Sequence, residues 1–293
     1  MIPRPQSHSH ALGPGVTGPE LLVPTSALLE RPPAPTPLTP SCGGHAFMVD
    51  PLQLHEASSH GDAGGPRQHT KYPYVTGTSV IGIKYKDGVM IAADTLAAYG
   101  STKRYKTTQR VVKVNNHTIL GAGGEISDFQ HIQTVLNELT DEDYRMDDGI
   151  EQTPSEVYAY LGRVMYNRRN KFNPLWNSLV VGGVQPDGMP FLGMVAMQGT
   201  HYVDSHVATG FASQLARPLF RERQHDDMSE EDALALIHDA LKVCYYRDKQ
   251  SINKFQVAKA TASGITITEP FCLDVKWDYE LFKQPTKWAV GAW

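Results

Sequence analysis

The sequence predicts an α+β fold in which two antiparallel sheets pack face to face and each sheet carries helices on its outer side, a four-layer αββα sandwich. Three observations lead to this prediction. Strand-like runs occur in pairs joined by short turns, which is typical of hairpins. Two helix patterns follow one another between groups of strands, and a second pair follows the next group. Strands and helices do not alternate one by one, as a parallel sheet would require.

Two hairpins open the predicted fold. In the first, runs 79–85 and 89–93 flank Lys86-Asp87-Gly88. Asp-Gly between β-rich runs is a strong hairpin signal, because these residues tolerate the positive φ angles of a tight turn. In the second, runs 110–114 and 118–122 are separated by a spacer rich in asparagine. We expect these four runs to be antiparallel strands.

Two consecutive helices should follow these hairpins. Ser127 precedes apolar residues at helical spacing, and it is predicted to cap a helix that ends near residues 141–143. The second helix begins with Thr153, Pro154 and Glu156. A capping threonine, a proline in the first turn and a glutamate three residues after the cap form a capping box.

The remaining strand patterns lie in the second half of the chain. Runs 176–184, 191–196 and 201–203 are rich in β-forming apolar residues, and we expect them to be central strands. Runs 255–261 and 265–268 surround a Ser-Gly turn and predict a final hairpin.

Two further helices are expected between these strand groups. Run 213–223 has a helical composition with Ser213 as a candidate cap, but Pro218 should kink or break it. Ser229, followed by three acidic residues, predicts the start of a longer helix.

Composition divides the chain into three parts. Residues 1–69 hold 12 of the 20 prolines and no lysine, and we expect them to be a disordered Pro- and His-rich propeptide. Residues 70–269 carry the strand and helix patterns of the folded domain. Residues 270–293 contain three tryptophans. Because aromatic rings gain free energy on leaving water, this tail is predicted to dock on its own domain or on a neighbour.

Charge and cysteine content argue against several functional classes. Acidic and basic side chains nearly balance outside the leader, so no electrostatic footprint for nucleic acid is present. No run approaches the ~18 apolar residues of a membrane span, and no secretory signal pattern opens the chain. The three cysteines lack paired spacing, which suits a reducing compartment. We expect a soluble protein of the cytoplasm and nucleus.

Neither a metal nor a cofactor is expected. Six histidines in the leader are irregularly spaced in a Pro-rich background, unlike the ligands of zinc sites. They are His8, His10, His45, His55, His60 and His69. The glycines at 121, 123 and 124 do not follow a phosphate-loop pattern and are predicted to allow a tight backbone turn.

Gly77 and Thr78, at the mouth of the first hairpin, indicate one candidate chemistry. If the chain were cut between them, Thr78 would present a hydroxyl and a free α-amine at the start of a strand. This is one of the few nucleophile arrangements that a chain end can build.

Four motifs resemble the beta subunits of the 20S proteasome core particle. They are Thr78-Ser79-Val80, Ile91-Ala92-Ala93-Asp94, Gly121 to Gly124, and Tyr246-Arg247-Asp248 followed by Ser251. The resemblance extends from Thr76 to about Glu269 and implies the N-terminal nucleophile hydrolase fold. It also implies a heteromeric assembly for protein degradation, with other beta subunits in a seven-membered ring, the opposite beta ring and an alpha ring as partners.

The resemblance also implies positions for an active site. In active members the threonine matched by Thr78 is the nucleophile, and its α-amine relays the proton. Asp94, Asp248 and Ser251 fall on active-site positions of the family, and Thr209 falls where active members carry a serine.

Three departures from that pattern argue against catalysis. The lysine beside the nucleophile is matched by Arg110, and an arginine cannot shed its proton at working pH. Leu96 replaces an arginine of the same pocket, and Ile252-Asn253 replaces a glycine pair. We therefore expect no catalytic residue, and we expect the two aspartates to satisfy backbone amides.

The resemblance places trimming of the leader between His69 and Thr70, so that the mature chain begins at Thr70 and the Thr78 nitrogen stays an amide. The leading hypothesis is a non-catalytic subunit of the beta ring. An active threonine protease subunit cut at Gly77-Thr78 is the alternative, and a free-standing binding module is the third class.

Overall fold

The computed structural model describes residues 72–284 and 286–287. The predicted propeptide, the predicted processing site at His69-Thr70 and the end of the tail lie outside the described residues. The strands are β1 (Val75–Gly77), β2 (Val80–Tyr85), β3 (Gly88–Asp94), β4 (Ala97–Tyr99), β5 (Thr102–Tyr105), β6 (Val111–Lys113), β7 (Thr118–Glu125), β8 (Asn177–Val184), β9 (Pro190–Val195), β10 (His201–Val203), β11 (His206–Ala208), β12 (Phe255–Thr261) and β13 (Gly264–Ile267). The helices are α1 (Ile126–Met146), α2 (Pro154–Asn170), α3 (Ala212–Leu215), α4 (Arg217–Arg223), α5 (Glu230–Arg247) and α6 (Glu280–Lys283).

Two sheets form the centre of the domain. The large sheet has the order β10-β9-β8-β7-β1-β4-β5, with β6 also paired to β7, and the small sheet has the order β11-β2-β3-β12-β13. Every strand pair in both sheets is antiparallel. Between residues 72 and 284 the two sheets therefore form without parallel crossovers.

Three apolar clusters separate four layers. One cluster fills the space between the two sheets and includes Ile91 and Val180. A second joins α1 and α2 to the outer face of the large sheet through residues such as Phe129. The third joins α3, α4 and α5 to the outer face of the small sheet around Phe220. The predicted αββα sandwich is confirmed.

Elements with strong local signals lie where the sequence predicts them. Tyr85 pairs with Gly88 across the first tight turn, and the hairpins β6–β7 and β12–β13 also form. In the predicted capping box, the Glu156 amide donates to Thr153 Oγ1 at 3.3 Å and the Thr153 amide donates to the Glu156 carboxylate at 2.8 Å. Ser229 caps α5 as expected.

The predicted cap of α1 is wrong. Glu125, the last residue of β7, accepts the Ser127 amide at 3.5 Å and caps the helix. The helix then continues to Met146, beyond the predicted end near residues 141–143. Because β7 runs directly into the helix, the Glu125 side chain at the junction, and not that of Ser127, binds a free amide of the first helical turn.

Run 213–223 is broken, as predicted, into two short helices. Pro218 lies in the first turn of α4, where its missing N–H removes no helical hydrogen bond. Ser213 is not a cap: it lies inside α3, and its hydroxyl donates to the Gly210 carbonyl at 2.7 Å.

The expectation of three central strands is correct for β8 and β9 but wrong for β10. His201–Val203 forms the edge of the large sheet, and two of its three residues are exposed. Strands β1, β4, β5 and β11 have no counterpart in the prediction. Each has only three or four residues, too few for an alternating pattern to be recognised.

The glycines 121, 123 and 124 lie within β7 and not in a turn. A Cβ on Gly121 would come within 2.8 Å of Val80 and 2.9 Å of Ile91. A Cβ on Gly124, whose φ is 93°, would come within 2.0 Å of the Trp176 carbonyl oxygen. These glycines therefore allow β7 to approach the small sheet and its own neighbours closely.

The described part of the tail packs on its own domain. Phe271 pairs with Phe255 of β12 through two backbone hydrogen bonds of 2.8 and 2.9 Å. Further along, the Trp277 ring lies edge-on to Tyr245 at 5.7 Å and Tyr246 at 4.9 Å between ring centroids. Docking of the tail on a neighbouring chain stays a prediction.

Candidate functional site

The candidate site forms where the chain passes from the large sheet to the small sheet. β1 ends at Gly77 and β2 begins at Val80, so Thr78 lies in the link between the two sheets. Its hydroxyl donates to Asp248 Oδ2 at 2.5 Å. The site is therefore built from residues 170 positions apart in the chain.

Arg110 and Asp94 form a buried ion pair below this link. Their exposed fractions are 1% and 4%, and Arg110 Nη1 donates to the Asp94 carboxylate. Burial raises the pKa of the Asp94 carboxyl, and the Arg110 charge opposes that rise. Because an arginine keeps its proton inside proteins, Arg110 supplies a fixed positive charge beside Asp94 and not a tunable base.

The second terminal nitrogen of Arg110 holds the backbone around the candidate nucleophile. Nη2 donates to the carbonyl oxygen of Thr78, and also to those of Ser79 and Ala122 at 3.1 Å each. The same guanidinium leaves no room for a side chain before Thr78, since a Cβ on Gly77 would lie 2.2 Å from Nε. Arg110 thus binds the backbone after the Gly77-Thr78 bond and packs closely against Gly77 before it.

The turn after α5 connects the two aspartates. Asp248 accepts the Gln250 amide at 2.8 Å, and the Ser251 hydroxyl donates to the Asp248 carbonyl at 2.8 Å. The Ile252 amide donates to Asp94 Oδ2 at 3.1 Å. Both carboxylates therefore bind backbone amides of one turn, in addition to their side-chain partners.

Thr209 lies beside the site but binds the strand next to it. Its hydroxyl accepts the Val80 amide at 3.0 Å and lies 3.3 Å from the Val80 carbonyl oxygen. A cavity of about 280 Å³ opens between Thr78, Thr209 and Gln250, with glycines of β7 along another wall. The structure thus brings together all six sequence-predicted site positions: Thr78, Asp94, Arg110, Thr209, Asp248 and Ser251.

The residues just before Thr78 form a central strand of the large sheet. β1 pairs with β4 on one side and with β7 on the other. The Glu125 carboxylate also accepts the amides of Tyr74 at 2.6 Å and Val75 at 3.1 Å. The segment N-terminal to Thr78 is therefore bound along both edges.

Two groups of this site were missed by the sequence reasoning. Glu125 both caps α1 and holds the start of β1. The side-chain nitrogen Nδ2 of Asn177 donates to the backbone carbonyls of Gly123 and Glu125 at 3.1 and 2.8 Å. An acidic residue at the end of an apolar strand, directly before a helix, is the signal that could have indicated Glu125.

The comparisons with known proteins agree with this architecture. A family model described as proteasome subunit matches residues 74–260. The chain is 53% identical to proteasome subunit beta type-4 of Arabidopsis thaliana over 77% of this chain and 92% of the relative. The identity is 43% to proteasome subunit beta type-4 of Xenopus laevis, over 73% of this chain and 89% of the relative.

The chain belongs to the proteasome beta-subunit family. Within it, residues 76–80, 173–177 and 245–248 resemble the beta type-4 subunit. That resemblance is confirmed by the beta type-4 relatives, and proteasome subunit beta type-7 of Saccharomyces cerevisiae is also 40% identical over 73% of this chain and 85% of the relative. Membership of this proteasome family also implies the N-terminal nucleophile hydrolase form of the sandwich.

Among the residues that the structure describes, no group of three or more His, Cys, Asp or Glu side chains could hold a metal ion. Within the same residues, no helix has the length and apolar content needed to cross a membrane.

Proposed function

We propose that this proteasome beta chain is a non-catalytic, structural subunit of the beta ring of the 20S core particle. One observation carries the proposal: the Gly77-Thr78 peptide bond follows a strand that is bound on both edges, and the next carbonyl, that of Thr78, is bound by Arg110. The beta type-4 names of its relatives support the same role. Protein degradation is then the activity of the whole assembly, to which this chain contributes a wall.

Catalysis by Thr78 would need the free α-amine that only cleavage at Gly77-Thr78 creates. That cut would separate β1 from the chain and leave the facing edges of β4 and β7 without their strand. Unpaired central backbone groups are costly in a buried sheet. The geometry therefore favours keeping β1 attached, and with it an amide at Thr78.

Trimming between His69 and Thr70 is the processing step that we propose. A chain that begins at Thr70 retains the amides of Tyr74 and Val75, which Glu125 binds. Cleavage before Thr70 and cleavage before Thr78 leave N-termini eight residues apart, which N-terminal mapping resolves.

We further propose that Pro270–Trp293 continues from its own domain onto a neighbour, because Trp277 remains 54% exposed at the point where the described packing ends.

The proposed partners are the other beta subunits of a seven-membered ring, the opposite beta ring and an alpha ring, in the cytoplasm and nucleus. Native mass spectrometry of particles purified through a tagged copy of this chain tests these partners, and N-terminal mapping of the same sample tests the processing. We expect an intact heteromeric particle and an N-terminus at Thr70. Truncation after Lys287 should lower the yield of particles, and an unchanged yield would argue against docking of the tail.

Thr78→Ala separates the structural role from the catalytic alternative. The proposal predicts that particles with this substitution retain every peptidase activity of the wild-type particle, because no cleavage specificity depends on the Thr78 hydroxyl. Thr78→Ser, which keeps the hydroxyl that donates to Asp248, serves as the matched control. Loss of one specificity with Thr78→Ala alone, or an N-terminus at Thr78, would establish the active-subunit alternative.

A further inference from the structure

An exposed ribbon forms one edge of the large sheet. It runs from Tyr99, the last residue of β4, through β5, and every residue from Tyr99 to Thr107 is exposed. We call residues 99–107 the basic ribbon. β4 is paired to β1 on its inner side, and in the described part of the chain no strand lies beyond β5. This open edge is therefore the part of the sheet that gains most from a cover.

The ribbon is held ready by aromatic and cationic contacts. The Arg104 guanidinium lies over the rings of Tyr99 at 5.8 Å and Tyr105 at 5.3 Å. Tyr74 stacks on Tyr99 with ring centroids 6.2 Å apart, and Lys103 Nζ donates to the Ser251 carbonyl at 2.7 Å. Side chains that are already ordered lose less entropy when a partner binds.

The chemistry of the ribbon indicates what covers it. Tyr99 and Tyr105 are each 45% exposed, and tyrosine and arginine are the side chains that dominate protein–protein hot spots. The charge is of one sign, because Lys103, Arg104 and Lys106 are basic and no acidic residue occurs between residues 95 and 124. A complementary surface must therefore present carboxylates.

The backbone of β5 indicates the form of the partner. β5 is the last strand of the large sheet, and in the described part of the chain only β4 pairs with it. The outer edge of such a strand presents backbone donors and acceptors to an extended segment.

We propose that the basic ribbon is the docking site for an extended acidic segment of a neighbouring protein chain in the beta ring. The segment adds to β5 as a further strand and places its carboxylates against Arg104 and Lys106. This inference rests on the proposed structural role, and it names the surface and the chemistry of one ring contact.

Photo-cross-linking tests the contact directly. A benzophenone amino acid is placed at position 105 of the full-length tagged chain, and assembled particles are irradiated and digested for mass spectrometry. The expected product joins position 105 to one neighbouring subunit, within a segment that carries Asp or Glu. A cross-link to this chain's own tail, a cross-link to a neutral or basic segment, or none at all would overturn the proposal.

Charge reversal tests the energetics. Arg104→Glu should lower the fraction of tagged chain found in particles about tenfold, as expected for an interfacial arginine that becomes repulsive, and Arg104→Lys should lower it less. Arg163→Glu, at an exposed position of α2, is the matched control and should be incorporated at the wild-type level. Circular dichroism of the free chains checks that the exposed substitutions leave the fold unchanged.

The outcomes separate the two proposals. If wild-type chain enters the particle and Arg104→Glu enters equally well, the ribbon proposal fails and the structural role stands. If the wild-type chain elutes only as a monomer, the structural role fails and the assignment of a ring neighbour to the ribbon fails with it.

Discussion

Replacing Arg110 should show how much of the domain's stability depends on the buried ion pair. In Arg110→Met the side chain keeps most of its apolar length but loses its charge and its hydrogen bonds. Asp94 would then remain buried as a carboxylate, with the backbone amides of Leu96 and Ile252 as partners but no cation. The backbone carbonyls of Thr78, Ser79 and Ala122 would lose the same donor.

The expected loss can be worked out from these contacts. Removing one partner of a buried ion pair costs about 3–5 kcal/mol, because an uncompensated charge is left behind. Arg110→Lys keeps the charge, but three donors replace contacts to five acceptors, so we expect a loss of about 1–2 kcal/mol at roughly 1 kcal/mol per hydrogen bond. Adding Asp94→Asn to Arg110→Met should recover part of the larger loss, since the stranded charge is removed.

Urea unfolding of the purified chain, followed by tryptophan fluorescence, measures these differences. The comparison requires equal m values, so that a shift of the midpoint reports stability alone. If Arg110→Met unfolds within about 1 kcal/mol of the wild type, or no more easily than Arg110→Lys, the ion pair contributes less than this to the free energy of unfolding, and the reasoning is refuted. Arg110→Lys should also leave Thr78 without peptidase activity, because the α-amine is still absent.

Two further substitutions follow from the same region. Gly77→Ala should lower the free energy of unfolding by about 2–4 kcal/mol because its Cβ would displace Arg110. The control Gly162→Ala lies in α2, where a Cβ makes only ordinary contacts, and it should be neutral or stabilising. Equal effects of the two substitutions in urea unfolding would contradict this prediction. Burial raises the pKa of the Cys244 thiol to about 12 from its ordinary pKa of 9.0. Above pH 9 the unfolded chain therefore loses the thiol proton, whereas the folded chain keeps it. The free energy of unfolding should therefore fall between pH 9 and 10.5, by up to about 1.4 kcal/mol per pH unit. Cys244→Ala should flatten that decline. An unchanged slope in Cys244→Ala would show that the Cys244 thiol is not its source.

Much of the fold could be read from local signals. The Asp87-Gly88 turn, the capping box at Thr153 and the break at Pro218 each depend on residues a few positions apart, and each lies where the sequence predicts it. The error at Ser127 is also instructive, because the residue that caps α1 belongs to the preceding strand. A helix pattern alone does not reveal where that strand ends.

The candidate site required the tertiary structure to a greater degree. The resemblance to a known family indicated Thr78, Asp94, Arg110, Thr209, Asp248 and Ser251 as candidates. Periodicity could not have brought together Thr78 and Asp248, or Gly77 and Arg110, because these pairs are far apart in the chain. Glu125 was missed for the same reason: its partners are the amides of Tyr74 and Val75, about 50 residues earlier.

The sequence by itself determined the longer elements and their order, the sandwich class and the arginine in place of a titratable lysine at position 110, since these depend on local pattern and on residue type. Only the tertiary structure decided that β1 is a central strand, that β7 glycines allow the sheets to approach, and that residues 99–107 form an exposed basic ribbon. Those features depend on short strands and on space between distant segments. Backbone pairing and steric fit, which leave little trace in three or four residues, specify them.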